Sequence, residues 1–392
     1  MRQQPPRSNQ NWILDNFLKL STNEDVLHPG ILGLRLERGF KHRDMEEVFH
    51  AANARRALPK AWCRIALRQE EAGAKALAAG RRVTAAQFYH RAMLYFGRSQ
   101  HLIPVDGHPK KIEYYDGVSR CRARLIELTD GAMSKQDVAF EPGKAAYTIF
   151  QKAPGSGRKP TVLYIPGMDA TKEDYPSPYN NEFARRGMNV CSMDGPGQGE
   201  CNMNRVWLTP DNYARAAKAV IDWLVTRDDV DPDRIAVFGA SMGTRWGVEL
   251  CAIDKRVKAL VGQMPCVGPL DIIFEQAQPN FKRIYMYMCN IKDEAAFDRM
   301  VDSLDLREHG RKVTCPYLLV GGEMDELCTP EDMKEFMSAL SCPKEMWLYE
   351  GVFHPMGEVA GEVNGDIADW IFEALTKGVP AGHNRTVIVP ER

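Results

Sequence analysis

A serine between two glycines, directly after a short apolar run, is the feature that most constrains this chain. Residues 234–243 read Arg-Ile-Ala-Val-Phe-Gly-Ala-Ser-Met-Gly, and the apolar run at 235–238 is typical of a buried strand. Residues 245–252 can follow as a helix. A strand, a Gly-x-Ser-x-Gly turn and a helix predict a nucleophile elbow with Ser241 at its apex. Glycine is needed on both sides because a Cβ there would collide with the strand or the helix.

The composition favours a globular protein that handles a small molecule. The 392 residues suffice for one large and one smaller domain, and 44% of them are hydrophobic and 26% charged. A formal net charge of −1 gives no electrostatic basis for binding nucleic acid or an anionic membrane. The first residues lack the apolar core of a secretory signal, and no apolar run reaches membrane-spanning length. The ten cysteines lack zinc-site spacing, so we expect a reduced, cytoplasmic protein without a metal.

The first third of the chain predicts helices. One predicted helix carries an apolar face at Phe88, Ala92, Tyr95 and Ser99, and another begins at Pro109. No internal repeat is visible, which argues against a helical array. We therefore assign residues 1–133 to a helical N-terminal cap or dimerisation domain. Its predicted helices lie at 44–57, 61–79, 84–100 and 109–128.

The remaining residues, 134–392, predict strands that alternate with helices. Such alternation indicates an α/β fold with a mostly parallel, doubly wound sheet that is covered on both faces. Ligands of these sheets bind beyond the carboxyl ends of the strands, and the candidate residues below all follow such ends. The predicted strands are 138–141, 145–151, 161–165, 188–193, 235–238, 257–263, 316–320 and 345–349, and the predicted helices are 181–186, 210–226, 245–252 and 365–377.

A nucleophilic serine needs a base, and the base needs an orienting acid. After an elbow of this type the acid and then the histidine are expected along the chain. His354 comes directly after the strand at 345–349, where a base must stand. His383 lies in a polar tail and His309 precedes a strand, so both are better explained as solvated surface residues.

The acid is expected after the strand at 316–320. The sequence there continues as Gly-Gly-Glu-Met-Asp-Glu, and Asp325 is the preferred candidate because a carboxylate a few residues past the strand can reach the Nδ1 side of the imidazole. Glu323 and Glu326 remain alternatives.

Two backbone amides are expected to stabilise the negative charge that develops on the attacked carbonyl oxygen. Met242, the residue after the nucleophile, supplies one N–H group. Met168, in the turn after the strand at 161–165, supplies the other, and Asp169 is a second possibility for that position.

Two further segments call for an interpretation. Residues 194–199, Asp-Gly-Pro-Gly-Gln-Gly, lack both the spacing of a phosphate-binding loop and a following helix, which favours a structural turn.

Residues 264–312 depart from the strand–helix alternation and contain Phe274, Phe281 and Tyr285 among several methionines. They form either a pair of helices that bury these side chains against the sheet, or a lid over an apolar or aromatic substrate pocket.

Three motifs in this order resemble those of one family. They are Gly-Met-Asp-Ala-Thr-Lys-Glu at 167–173, Asp-Gly-Pro-Gly-Gln-Gly-Glu at 194–200 and the elbow at 239–243. The chain, over about residues 110–378, is similar to α/β-hydrolases of the dihydroxypseudooxynicotine hydrolase type, and fungal polyketide-shortening hydrolases and FrsA-like esterases look related.

This resemblance implies an α/β-hydrolase fold with a helical N-terminal cap and a lid insertion. It also implies a catalytic triad of Ser241, Asp325 and His354, with Met168 and Met242 as oxyanion donors. The better-known members cleave carbon–carbon bonds in 1,3-dicarbonyl or acyl-aromatic compounds, typically as dimers. Residues 266–290 match no such motif, so the identity of the substrate does not carry over.

The resulting hypothesis is a cofactor-independent serine hydrolase that cleaves a carbon–carbon bond next to a carbonyl of a small-molecule, polyketide-like substrate. We expect a homodimer and no nucleic-acid or membrane partner. A carboxylester or thioester hydrolase, or an acyl-transfer or cyclisation enzyme, would use the same triad. A non-catalytic small-molecule binder on a hydrolase scaffold is the alternative from a different class.

Overall fold

One large sheet organises the computed structural model, which describes residues 6–7, 10, 12–21, 24–52 and 54–391. In the described residues its order is β1-β2-β4-β3-β5-β6-β7-β8-β9, where β1 is Met133–Glu141, β2 Lys144–Gln151, β3 Lys159–Ile165, β4 Asn189–Asp194, β5 Val230–Ala240, β6 Val257–Gln263, β7 Tyr317–Gly322, β8 Lys344–Tyr349 and β9 Asn384–Val389. The pairs β1–β2 and β2–β4 are antiparallel, and the pairs from β4 to β9 are parallel. This topology confirms the predicted α/β fold class.

The register of the central strands brings their carboxyl ends together. Ile165 at the end of β3 pairs with Gly239 of β5, and Gly239 pairs with Gly262 of β6. Gly262 in turn pairs with Leu319 of β7. The loops that follow these strands therefore start side by side at one edge of the sheet, where ligands of parallel sheets bind.

Helices cover both faces of the sheet. One face packs against α9 (Asn212–Leu224) and α10 (Met242–Ile253), and the other against α7 (Glu182–Arg185) and α15 (Ala360–Thr376). The remaining helices of this part are α8 Gly199–Met203, α11 Pro279–Met288, α12 Glu294–Asp302, α13 Arg307–Gly310 and α14 Pro330–Ser338.

In the described part of the chain, six α-helices precede the first strand. They are α1 Trp12–Leu20, α2 Ile31–Arg38, α3 His42–Ala51, α4 Leu58–Ala78, α5 Arg82–His101 and α6 Pro109–Leu128. The four predicted helices correspond to α3–α6, with one difference: the first ends at Ala51 and is followed by a separate short turn at Arg55–Ala57. Helices α1 and α2 were not predicted. None of the described helices is both long and apolar enough to span a lipid bilayer.

Helix α5 is buried more widely than its predicted apolar face implies. Tyr95 and Ala92 are fully buried, but so are Met93, Leu94 and Phe96. The reason is that α5 packs between α4 and α6 and is covered on two sides. A single amphipathic face would be expected only for a helix with one packing partner.

Two expectations about the chain are wrong. The polar tail around His383 leads into β9, a mostly exposed edge strand whose first half is polar and whose apolar run is only three residues long. The His383 Nε2 atom lies 2.9 Å from Glu345 Oε2, so this side chain is paired. A helix, α8, does follow the turn at 194–199, although it is only 5 residues long.

Candidate active site

Ser241 lies at a sharp turn between β5 and α10. Its φ of 55° and ψ of −125° are strained for a residue with a side chain, as expected at a nucleophile elbow. A Cβ on Gly239 would lie 2.3 Å from the Gly243 carbonyl oxygen, and a Cβ on Gly243 would lie 2.1 Å from the Ile165 carbonyl oxygen. The predicted collisions are therefore present, and the turn can exist only with glycine at both positions.

His354 reaches Ser241 from the loop after β8. Its Nε2 atom lies 3.0 Å from Ser241 Oγ, within hydrogen-bond distance. The imidazole is buried, with 3% of the residue exposed. The geometry is that of a base positioned to take the hydroxyl proton.

Asp325 orients this imidazole from the loop after β7. Its Oδ1 and Oδ2 atoms lie 3.0 and 2.9 Å from His354 Nδ1. The carboxylate is held in turn by the backbone N–H groups of Leu327 and Cys328, which donate to Oδ1 at 2.8 and 2.9 Å. Three donors thus fix one carboxylate, and the ring it contacts faces Ser241.

The two alternative acids have other partners. Glu323 Oε2 accepts a hydrogen bond from the Gly351 N–H group at 3.0 Å. Glu326 Oε2 accepts one from the backbone N–H of His354 at 3.2 Å, and its Oε1 lies 2.9 Å from His28 Nδ1. Of the three candidate carboxylates, Asp325 is therefore the one that contacts the imidazole of His354.

The charge state of His354 depends on competing effects. Burial alone would lower the pKa of His354, but the negative charge and hydrogen bond of Asp325, with a contribution from Glu326, outweigh burial and raise it above its usual value. The imidazolium formed when Ser241 loses its proton is therefore stabilised.

The two predicted oxyanion donors flank Ser241. A Cβ on Gly167 would lie 2.9 Å from Ser241 Cβ, so the turn that carries Met168 touches the nucleophile. Met242 is the first residue of α10, where N–H groups have no partner within the helix. Among the described residues, neither the Met168 nor the Met242 N–H group donates to a protein acceptor. Asp169, the second possibility, lines the cavity in front of Ser241.

Gln198 holds the turn that carries Met168. Its Nε2 group donates to the Gly167 carbonyl oxygen at 2.7 Å and to that of Pro166 at 3.2 Å. Its Oε1 atom accepts a hydrogen bond from the Tyr213 hydroxyl at 2.5 Å. The segment at 194–199 is thus a structural turn, as predicted, and it also determines where the Met168 amide lies.

A buried ionic network ties the same region to the N-terminal helices. Lys172 Nζ, which is fully buried, lies 2.7 Å from Asp194 Oδ2, 2.8 Å from Glu173 Oε1 and 3.1 Å from Glu200 Oε2. Arg122 of α6 pairs with Glu173 at 2.5 Å. Burial would lower the pKa of Lys172, but Asp194 and Glu173 raise it well above its usual value. The loop after Met168 is therefore anchored to α6 by charge pairs.

A small cavity of about 30 Å³, room for one or two waters, lies in front of Ser241. One wall, which we call the sheet wall, comes from loops at the strand ends. The opposite wall, which we call the covering wall, comes from the N-terminal segment and α11. The sheet wall consists of Gly167, Met168, Asp169, Ser241, Met264 and His354, and the covering wall of His28, Ile31, Leu34, Arg38 and Phe281.

The segment at 264–312 is mainly part of the core. Phe274 and Tyr285 are buried, with ring centroids 5.1 Å apart, and both pack against Phe297 of α12. This agrees with helices that bury their aromatic residues. Phe281 of α11 faces the Ser241 cavity, so the segment also contributes to the pocket.

A larger cavity lies away from Ser241. It measures about 300 Å³, is lined by Arg245, Asp271 and Glu335 among others, and contains none of the predicted site residues. Among the described residues, no group of three or more His, Cys, Asp or Glu side chains is arranged to hold a metal ion.

Two neighbours of the nucleophile were missed by the sequence analysis. The Cys266 Sγ atom lies 3.6 Å from Ser241 Oγ, and burial raises the pKa of this thiol well above its usual value. Its position three residues after β6 is a signal that could have identified it. His28 has no such local signal, because distant parts of the chain bring it to the cavity.

The sheet order and the strained serine turn define an α/β-hydrolase. Solved structures agree on the fold: the crystal structure of the 2,6-dihydroxy-pseudo-oxynicotine hydrolase superposes with a TM-score of 0.79 at 20% identity, over 90% of this chain and 99% of that one. Residues 62–322 match the family described as Esterase FrsA-like. The chain belongs to this family of hydrolases.

Individual relatives are also named hydrolases. The alpha/beta hydrolase xenA of Xenoacremonium sinensis is 33% identical over 216 residues, which cover 52% of this chain and about half, 50%, of that protein. The alpha/beta hydrolase gkaG of Penicillium citrinum is 26% identical over 364 residues, or 79% of this chain and 83% of that protein.

Proposed function

We propose that this hydrolase cleaves a carbon–carbon bond next to a carbonyl, in a 1,3-dicarbonyl, acyl-aromatic or polyketide-like substrate. The proposal rests on the hydrogen-bonded line from Asp325 through His354 to Ser241, which faces a small cavity whose covering wall is mostly apolar. The nucleophile, base and oxyanion donors are all groups of this chain, so no cofactor is included.

In the first half of the reaction Ser241 Oγ attacks the carbonyl carbon while His354 Nε2 takes its proton. Asp325 keeps the imidazole in the tautomer that accepts at Nε2 and stabilises the imidazolium. The carbonyl oxygen becomes negative and is stabilised by the N–H groups of Met168 and Met242. Collapse of this intermediate expels a carbanion and leaves an acyl group on Ser241, which water then hydrolyses.

The leaving group distinguishes carbon–carbon from ester cleavage. An alkoxide takes its proton on oxygen, whereas an enolate must take it on carbon, which requires a fixed leaving group and a dry pocket. The small volume of the cavity and its lining by Ile31, Leu34 and Phe281 fit the second requirement. The family resemblance given above is the other support for carbon–carbon cleavage.

An ester or thioester hydrolase with the same triad is the second candidate. The observation that favours it is the match to a family described as esterases. The triad geometry is compatible with both reactions, because both begin with the same attack on a carbonyl carbon.

Two substrates that deliver the same acyl group separate these candidates. We expect the purified enzyme to cleave a 1,3-diketone with a larger kcat/KM than the nitrophenyl ester of the same acid. In D₂O the released ketone should carry deuterium at the carbon that was cut, provided that the carbon does not exchange by itself. Fast ester turnover without any ketone product would contradict carbon–carbon cleavage and favour the esterase.

A further inference from the structure

A second imidazole faces the nucleophile, and it comes from the N-terminal segment. His28 lies between the short helical turn Glu24–Val26 and α2, and it lines the same cavity as Ser241. Its ring centroid is 5.9 Å from that of His354 and 5.6 Å, edge-on, from that of Phe281. The side chain is 13% exposed. An ionisable group therefore belongs to an otherwise mostly apolar covering wall.

A carboxylate pairs with this imidazole. Glu326 Oε1 lies 2.9 Å from His28 Nδ1. Burial would raise the pKa of Glu326, but the hydrogen bond with His28 and the nearby positive charge of His354 lower it to about 2. Glu326 thus stays ionised at working pH and holds the His28 ring through this contact. Since Nδ1 is engaged by Glu326, Nε2 is the nitrogen available to a substrate.

The position of His28 is held by close packing. A Cβ on Gly33 of α2 would lie 2.2 Å from the Gly357 carbonyl oxygen, so α2 is pressed against the loop that carries His354. On the other side, the Gln278 side chain donates to the Leu27 carbonyl oxygen at 3.2 Å. The two imidazoles are therefore fixed relative to each other.

The proposed cleavage needs a proton at two different places. His354 Nε2 is 3.0 Å from Ser241 Oγ and receives the hydroxyl proton there. The leaving carbon needs a donor of its own that faces the cavity from another direction. Resting on the proposed carbon–carbon cleavage, we propose that His28, paired with Glu326, is the general acid that protonates the leaving carbon.

The protons and electrons of this sequence balance. Ser241 Oγ bonds to the carbonyl carbon, and its proton goes to His354. Collapse re-forms the carbonyl, breaks the carbon–carbon bond and leaves the electron pair on the enolate. The enolate carbon takes the proton from His28 Nε2 and becomes a ketone. The proton on His354 then passes to His28 through a water, and neutral His354 activates the water that hydrolyses the acyl-serine and afterwards returns a proton to Ser241.

Several ionisable groups lie near His28. Glu326 pairs with Nδ1, and His354, Asp169 and Arg38 line the same cavity. Of these, Glu326 is in direct hydrogen-bond contact. Replacing it by glutamine removes the negative charge while an amide oxygen can still accept from the His354 N–H group.

The test compares His28→Asn with wild type on a 1,3-diketone and on the nitrophenyl ester of the same acyl group. Asparagine keeps a donor near Nδ1 for Glu326 but has no proton to give at Nε2. We expect kcat for the diketone to fall about 100-fold, as is typical for loss of a general acid. The diketone-to-ester ratio of kcat should fall at least tenfold, because nitrophenolate is a stable anion that leaves without a general acid.

His42→Asn is the matched control, since His42 lies on α3 with an exposed side chain and should leave both rates unchanged. Thermal unfolding and labelling of Ser241 by a fluorophosphonate establish that His28→Asn is folded. For Glu326→Gln, the diketone-to-ester ratio of kcat should also fall, because the His28 ring loses the carboxylate that holds it.

The outcomes separate this inference from the proposed function. If the wild type cleaves the diketone but His28→Asn loses equal activity on both substrates, or none, only the proposed role of His28 is overturned. A diketone-to-ester ratio of kcat in Glu326→Gln equal to that of wild type would contradict the role of the pair. A wild type that cleaves only the ester would overturn the proposed function and this inference together.

Discussion

The two walls of the Ser241 cavity are held in place by different interactions. The sheet wall is fixed by backbone geometry: a strained φ at Ser241, glycines that permit the turn, and strands whose ends lie in register. The covering wall is one short helix, α2, with Phe281 of α11 beside it. It is held by a glycine contact with the loop after His354 and by the pair between His28 and Glu326.

This difference assigns the chemical steps mainly to the sheet wall and substrate selection mainly to the covering wall. Bond making and breaking require atoms placed within a few tenths of an ångström, which backbone constraints and buried hydrogen bonds provide. A wall that contacts the remainder of the substrate can change its side chains without disturbing the elbow. Variants of the sheet wall should therefore lower kcat strongly, whereas variants of the covering wall other than those of His28 should act mainly on substrate preference and KM.

The largest effect is expected for Ser241→Ala. Loss of the nucleophile should reduce turnover by about 10⁴–10⁶-fold, as in other serine triads. The fold should persist, since the side-chain contacts of the hydroxyl are with His354 and Cys266. Steady-state rates measure the turnover, thermal unfolding measures the stability of the fold, and fluorophosphonate labelling measures the loss of the nucleophile. Turnover within tenfold of wild type in a folded variant would end the serine mechanism.

The next largest effect is expected for Asp325→Asn. An amide in place of the carboxylate favours the wrong imidazole tautomer and should lower kcat about 10⁴-fold. Glu323→Gln is the matched control, because this exposed glutamate contacts the Gly351 N–H group rather than the imidazole. It should retain nearly full kcat. If both variants lost activity equally, Asp325 would not be the orienting acid.

A smaller loss is expected for Gln198→Ala. Without its side chain, the carbonyl groups of Pro166 and Gly167 lose the donor that fixes the Met168 amide. Removing an oxyanion donor typically costs about 10²–10³-fold, so displacing one should lower kcat about 10- to 100-fold with little change in KM.

Gln136→Ala provides the matched control on β1. Its exposed amide donates to the neighbouring Asp137 carbonyl oxygen, far from the elbow in sequence, and kcat should not change. A rise in KM with an unaltered kcat in Gln198→Ala would mean that Gln198 does not position the oxyanion turn.

The sequence predicts the sheet wall of this site better than the covering wall. The elbow, the loops with Asp325 and His354, and the turn with Met168 all directly follow strands whose apolar runs are visible locally. Helix α2 is 8 residues long and was missed, because its pairing with Gly357 joins residues far apart in the chain. The edge strand β9 escaped prediction because its first half, at 384–386, is polar and its apolar run is only three residues long.

The pH dependence of activity should reflect the sheet wall. The base works only as neutral imidazole, so activity falls as the pH drops below the pKa of His354. Because Asp325 raises that pKa, the acid limb of kcat/KM should lie above about 6.5, the ordinary value for histidine. Asp325→Asn should shift the limb in its residual activity to lower pH. A limb below 6 in wild type would contradict the raised pKa.

The smallest effect is expected for Gly33→Ala, which acts on the covering wall alone. The new Cβ would lie 2.2 Å from the Gly357 carbonyl oxygen, so α2 must move away from the loop after His354. Overpacking of this kind costs about 1–3 kcal/mol of unfolding free energy, and the displaced wall should raise KM severalfold while kcat for a small ester stays within about threefold. Gly97→Ala in α5 is the control: a Cβ there meets nothing within 4 Å, and the better helix propensity of alanine should stabilise by up to about 1 kcal/mol. For both variants, denaturant unfolding measures the free energy of unfolding, and steady-state kinetics measure kcat and KM. If Gly33→Ala lowered kcat for the small ester as strongly as Gln198→Ala, the covering wall would also position the reacting groups, and the division between the two walls would fail.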